Sequence, residues 1–254
     1  MAIPQQLEPQ QGQVVTKHPP EAGKRRLIVA LDVPTADAAV ELVDRLEGSC
    51  HWLKIGLELF TVAGPGIIEQ FVTRGHSIFL DLKFHDIPNT VAGAVRSAAG
   101  LGVGMMTLHA LGGPAMLAAA RNEMEKLANP PELLAVTVLT SMDAAQLGAV
   151  GVAASPGEAA ERLARLGMEA GIQGFVCSPQ EVATLRSITG SAGVLVVPGI
   201  RPAGSALGDQ KRVATPAETL RQGASFLVVG RPITQAASPA EAARQILDEM
   251  AAAL

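Results

Sequence analysis

The densest concentration of chemically useful side chains is Asp81-Leu82-Lys83-Phe84-His85-Asp86, which follows directly on Ser77-Ile78-Phe79-Leu80. The apolar run predicts a strand over Ser77 to Leu82. Side chains alternate along a strand, so Asp81 and Lys83 share one face while Leu82 takes the other. A lysine flanked by carboxylates keeps its proton, because opposite charges within about 4 to 6 Å favour the ammonium form. Such a group can stabilise a carbanion and then protonate it. A Schiff-base lysine is disfavoured, since it has to lose its proton in an apolar or cationic setting. A hard cation on Asp81 and Asp86 is disfavoured too, because Lys83 stands between them. An ion-pair network with a purely structural role is the weaker alternative, as buried pairs are weak evidence of stability.

Other apolar runs end on polar residues in the same way. Asp32 follows Leu27 to Leu31, Lys54 lies in Trp52 to Ile55, and Thr140 and Ser141 follow Leu133 to Leu139. His109 closes Met105 to His109, but it and His85 are read as packed or hydrogen-bonded histidines outside the site. Near the C-terminal end stand Val197-Pro198-Gly199-Ile200-Arg201-Pro202 and Val228-Val229-Gly230-Arg231-Pro232-Ile233. Glycine lets the backbone approach a ligand closely, and the arginine fork matches a phosphate dianion. Both segments therefore read as phosphate-binding turns.

The elements that must position these residues alternate from Arg26 onward, with short apolar runs followed by longer segments of helical period. The remaining strands are expected over Gly174 to Cys177, Val194 to Val197 and Phe226 to Val229. Helices are expected over Thr35 to Leu46, Glu58 to Thr73, Thr90 to Leu101, Pro114 to Leu127, Pro156 to Ala170, Pro179 to Ile188, Pro216 to Gln222 and Pro239 to Ala252. Several begin with proline in the first turn, where its missing N–H costs nothing. Eight consecutive strand-helix units favour an α/β chain closed into a single (β/α)8 TIM barrel, with the site at the C-terminal ends of the strands. The competing Rossmann-like sheet lacks its glycine fingerprint, since Leu31-Asp32-Val33-Pro34 follows the first strand. Ala203 to Ala214 is longer than most connections and reads as a lid over the phosphate.

The chain has 254 residues with 20 basic and 24 acidic side chains, a formal charge of −4 that gives no footprint for a polyanion. Aromatic residues make up 3%, with no tyrosine, so stacking platforms for nucleic acid are missing as well. No apolar run reaches the length of a membrane span. Cys50 and Cys177 lack metal-ligand spacing and read as reduced core thiols, which fits the cytoplasm. Residues 1–23 are read as a disordered extension without a secretory signal, and 24–254 as the barrel.

The string Asp81-Leu82-Lys83-Phe84-His85-Asp86-Ile87-Pro88-Asn89-Thr90 resembles the active-site signature of the orotidine 5'-phosphate decarboxylase family, which carries out the last step of pyrimidine synthesis. Leu31-Asp32-Val33, Leu53-Lys54-Ile55-Gly56, Leu139-Thr140-Ser141, the Pro-Gly-Ile-Arg segment and Val229-Gly230-Arg231 support it in family order. The resemblance covers nearly everything from Leu27 onward. It implies decarboxylation of orotidine 5'-monophosphate to uridine 5'-monophosphate and CO2 without cofactor or metal. Lys83 would then be the proton donor, with Lys54, Asp81 and Asp86 completing a network of alternating charge. Asp32 and Lys54 would hold the ribose, while Thr140 and Ser141 face the pyrimidine. Arg201, Gln210, Gly230 and Arg231 would bind the phosphate, Gln210 from the lid. Asp86, Ile87 and Thr90 would reach into the neighbouring subunit of a homodimer. The runner-up is a magnesium-dependent sugar-phosphate lyase with the same barrel, which shares the Asp-x-Lys-x-x-Asp core. A non-enzymatic nucleotide sensor would keep the Gly230-Arg231 turn but has no use for Lys83 between carboxylates.

Overall fold

The computed structural model describes residues 21–202 and 214–253. Its eight strands are β1 (Leu27–Ala30), β2 (Trp52–Gly56), β3 (Ser77–Phe84), β4 (Met105–His109), β5 (Glu132–Val136), β6 (Gly174–Val176), β7 (Val194–Val197) and β8 (Phe226–Val229). All pair in parallel with their sequence neighbours, and β8 pairs with β1 to close the barrel. Helices on the outside link each strand to the next, so the expected (β/α)8 architecture is present. Residues 1–20 of the expected extension lie outside the described residues, and its last positions fall in the short helix Glu21–Lys24.

Local chemistry explains most helix starts. Thr35, Ser155, Thr215 and Ser238 each accept a hydrogen bond from a backbone N–H three residues on, at the head of Ala36–Arg45, Pro156–Glu169, Pro216–Arg221 and Pro239–Ala251. The single helix expected over Glu58 to Thr73 is two, Leu57–Ala63 and Gly66–Thr73. Gly64 stops the first with φ 67°, and Pro65 then takes the cap position of the second. Besides Glu21–Lys24, two short helices were not expected: Ala144–Ala149, started by an Asp143 capping box, and Arg231–Thr234 after β8. Among the described residues no helix is long and apolar enough to cross a membrane.

The core has two layers set by the period of two along each strand. Leu27, Val29, Leu53, Ile55, Ile78 and Leu80 face outward and pack against the helices. Ile28, Ala30, Phe79, Met105, Leu134, Val196 and Val228 face inward and fill the barrel, with Trp52, Val176, Val194 and Phe226 against them. Counting two residues on from this inner layer leads to Asp32, Lys54, Asp81, Thr107 and Gly230. The polar residues are thus the next tier above an apolar floor, at the C-terminal mouth.

Candidate active site

Asp81 is the hub. Its Oδ1 accepts from Lys83 Nζ at 2.8 Å and from the Thr107 hydroxyl at 3.1 Å, while Lys54 Nζ lies 3.6 Å from Oδ2. Lys54 Nζ also donates to Asp32 Oδ1 at 2.9 Å. The result is a chain of alternating charge, Asp32, Lys54, Asp81, Lys83, running across the ends of β1, β2 and β3. Only 14% of the Asp81 side chain and 11% of Lys54 is exposed, against 31% of Lys83 and 61% of Asp32, so the network is anchored in the barrel and opens towards solvent at both ends. Burial by itself raises the Asp81 carboxyl. The charges of Lys54 and Lys83 and the hydrogen bonds from Lys83 and Thr107 outweigh it and hold Asp81 below the usual aspartate range.

β3 reaches further than the expected Ser77 to Leu82 and carries Lys83 within it. The expected parity holds in outcome, with Leu82 against the outer core and Lys83 bound to Asp81. The route is different: Lys83 has φ 51°, a left-handed conformation, and the β3–β4 register slips between Leu80 and Phe84. Here Leu80 pairs with Met106 and Phe84 with Leu108, which leaves Asp81, Leu82 and Lys83 opposite Thr107 alone.

Asp86 does not flank Lys83 within its own chain. The chain turns after Phe84, and Asp86 is exposed just ahead of the helix Pro88–Ala99, its Oδ1 accepting from Ile87 N at 2.6 Å. Ile87 and Thr90 are exposed on the same rim. Thr140 and Ser141 occupy a turn beyond β5, which ends at Val136, short of the expected Leu139. Gln210 lies outside the described residues. On either side of the stretch that contains it, Ile200 bridges Ala214 and Arg201 N donates to Ala214 O at 3.0 Å.

A cavity of about 410 Å³ adjoins the charged chain. Asp32 and Lys54 line one side, and Pro198, Gly199, Arg201, Gly230 and Arg231 the other. Arg201 is buried, with Nη1 donating to Ile200 O at 2.9 Å. Thr234 and Gln235 complete the lining from the short helix after β8. They escaped sequence reasoning, although Gly230-Arg231-Pro232 is a helix-start signal that places them there. Thr107 was missed as well, being one polar residue inside an apolar strand. His85 and His109 stack at the mouth with ring centroids 5.5 Å apart. Burial, His85 and the Lys83 charge lower His109 to about 4, so this ring is neutral beside the site. Among the described residues no three His, Cys, Asp or Glu side chains are grouped as a metal site.

The geometry combines a carboxylate-held ammonium with an arginine- and glycine-lined recess one side chain away. Residues 25–246 match the model of the family described as Orotidine 5'-phosphate decarboxylase / HUMPS. The chain is 52% identical over 231 residues to an orotidine 5'-phosphate decarboxylase of Halorhodospira halophila, covering 91% of this chain and 98% of the relative. It is 54% identical over 222 residues to one of Actinobacillus succinogenes, covering 87% and 96%. The crystal structure of an orotidine 5'-phosphate decarboxylase from Lactobacillus acidophilus superposes with TM-score 0.78 at 38% identity, over 89% of this chain and 99% of that one. With the family model spanning the whole barrel and relatives of this identity matched nearly end to end, the chain belongs to the orotidine 5'-phosphate decarboxylase / HUMPS family.

Proposed function

We propose that this chain decarboxylates orotidine 5'-monophosphate to uridine 5'-monophosphate and CO2. The observation that carries the reading is the Lys83 ammonium held 2.8 Å from Asp81 beside a recess lined by Gly230 and Arg231. The phosphate seats against Arg201, Gly230 and Arg231, with Gln210 assigned to the same group. Asp32 and Lys54 take the ribose hydroxyls, and Thr140 and Ser141 close over the pyrimidine. The substrate carboxylate then lies beside Asp81. The bond from C6 to the carboxyl carbon breaks, its electron pair stays on C6, and a proton passes from Lys83 Nζ to that carbon. Solvent reprotonates the neutral lysine.

Magnitudes decide which effect leads. Two like charges about 4 Å apart repel by about 4 kcal/mol at an effective dielectric of about 20. Demanding enzyme reactions require roughly 8 to 23 kcal/mol of barrier lowering. Repulsion between Asp81 and the substrate carboxylate is too small, so stabilisation of the developing carbanion by a preorganised Lys83⁺ contributes most. Phosphate binding far from C6 adds to this by orienting the ring. The magnesium-dependent lyase is not favoured, because the relatives at about half identity carry the decarboxylase name.

Asp86, Ile87 and Thr90 are assigned to the neighbouring site of a homodimer. Their exposure on one rim supports this, together with exposed Leu57 and Leu111 at the adjacent strand ends. A cytoplasmic location is supported by two buried cysteines outside any disulfide, one of which, Cys50, burial raises to about 12.

The test is an absorbance assay with orotidine 5'-monophosphate in excess EDTA, run beside Lys83→Ala. Loss of the orotidine chromophore in the wild type, abolished in the variant while uridine 5'-monophosphate still binds, is expected. Near-normal turnover by the variant would refute the role of Lys83. A requirement for magnesium and a sugar phosphate would move the assignment to the lyase.

A further inference from the structure

Thr107 sits in the middle of β4, fully buried, in the tier of the barrel just above the apolar floor. Its hydroxyl is the sole side chain facing the three-residue bulge of β3 in the register between Met106 and Leu108. Lys83 N donates to Thr107 Oγ1 at 2.8 Å. Because a backbone N–H can only donate, that contact uses a lone pair of the hydroxyl and leaves its proton for another acceptor. Asp81 Oδ1, 3.1 Å away, is that acceptor. One hydroxyl therefore grips Asp81 by its carboxylate and Lys83 by its backbone.

Both grips answer a physical need. A left-handed conformation strains any residue with a Cβ, so Lys83 holds φ 51° only if its surroundings enforce it. The bulge removes the ladder partner that Lys83 N would otherwise have, and a buried unsatisfied N–H is costly. Among the described residues the Asp81 carboxylate takes its orientation from Lys83, Lys54 and Thr107, with no backbone donor to aim it. Of these, only Thr107 is fixed on a short, stiff side chain of a neighbouring strand.

We propose that Thr107 is a positioning residue for the reaction: its single hydroxyl sets the Asp81 carboxylate and the Lys83 backbone in one fixed relation, so that the ammonium arrives at the reacting carbon. The inference rests on the function proposed above. A displacement of about 1 Å at a reacting group costs on the order of 100-fold in rate, and this is the scale of effect expected.

The experiment compares wild type with Thr107→Val, Thr107→Ala and Thr107→Ser for kcat and KM on orotidine 5'-monophosphate and for thermal melting. Thr107→Val keeps the shape and removes both hydrogen bonds; Thr107→Ala removes them without adding an apolar contact. Each is expected to lower kcat about 100-fold with KM changed little, since phosphate and ribose contacts are untouched. Thr107→Ser should stay within about fivefold of wild type, because its hydroxyl can still accept and donate. Folded Val or Ala variants with near-normal kcat would overturn the proposal. So would Thr107→Ser as slow as Thr107→Val, or a loss that falls on folding while kcat of the folded fraction is unchanged. If neither Val nor Ala folds while Ser does, the hydroxyl serves stability and the proposal also fails. Absence of turnover in the wild type would instead reject the proposed function.

Discussion

Asp81 and His109 show how burial acts on opposite charge types at one mouth. Asp81 is compensated by two ammonium groups and stays ionised, whereas burial, with His85 and the Lys83 charge beside it, keeps His109 neutral down to about 4. A histidine whose folded pKa lies below its unfolded value of about 6.5 binds fewer protons in the native state, so stability rises with pH across that interval. Its contribution is fully present above about 6.5 and is lost as pH falls towards 4. His109→Gln should therefore flatten the stability curve between these limits, read by urea denaturation at a series of pH values. An unchanged slope would show that His109 is charged in the folded protein. Lys54, Lys83, Asp81, Asp32 and His85 all remain in the variant, and residual slope is expected from other shifted groups such as His76, which burial also lowers.

At the scale of elements, strand ends set the site with little slack. Gly56 closes β2, and a Cβ there would stand 3.0 Å from Lys54 Nζ and 3.5 Å from Asp32 Oδ1. Because the nearer atom is the far end of a flexible side chain, Gly56→Ala should leave melting nearly unchanged while displacing the ammonium. A loss of about tenfold in kcat is expected, as small misplacements at reacting groups are costly; a large drop in melting temperature with normal kcat would contradict it. The strands themselves were legible in sequence where a short apolar run is set off by glycine, proline or a polar residue, as for Met105–His109, Val194–Val197 and Phe226–Val229. Legibility failed where tertiary pairing overrides pattern. Nothing in Asp81-Leu82-Lys83 reveals that the strand bulges there, and Thr107 looks like an ordinary strand residue until its partner slips register. Closeness in sequence places Asp86 beside Lys83, whereas the turn before Pro88 carries it to the rim, where the resemblance assigns it to the neighbouring subunit. The charged residues at the ends of β1 to β3 were identifiable because period two continues the inner face of the barrel into the mouth.

For the whole molecule, the rim that presents Asp86, Ile87 and Thr90 makes a specific demand. If these residues complete the partner's site, Lys83→Ala and Asp86→Ala are complementary lesions. Each variant alone should be nearly inactive. Mixed under conditions that exchange subunits, they should regain turnover, because a hybrid dimer contains one site with both wild-type residues. Failure to regain activity in demonstrated hybrids would place Asp86 in its own chain's site or outside the chemistry.

The cavity has a further consequence that follows from its address along the chain. Its walls come from β1 and β2 on one side and from β7 and β8 on the other, so it straddles the seam where the first and last strands of the barrel meet. A nucleotide seated there, as proposed, would touch the first and the last strands of the barrel at once and act as a removable clasp across the loop they close. Its binding energy adds to the native state alone, by an amount that grows with the logarithm of its concentration. Product and substrate pools would thereby become part of what keeps the barrel shut.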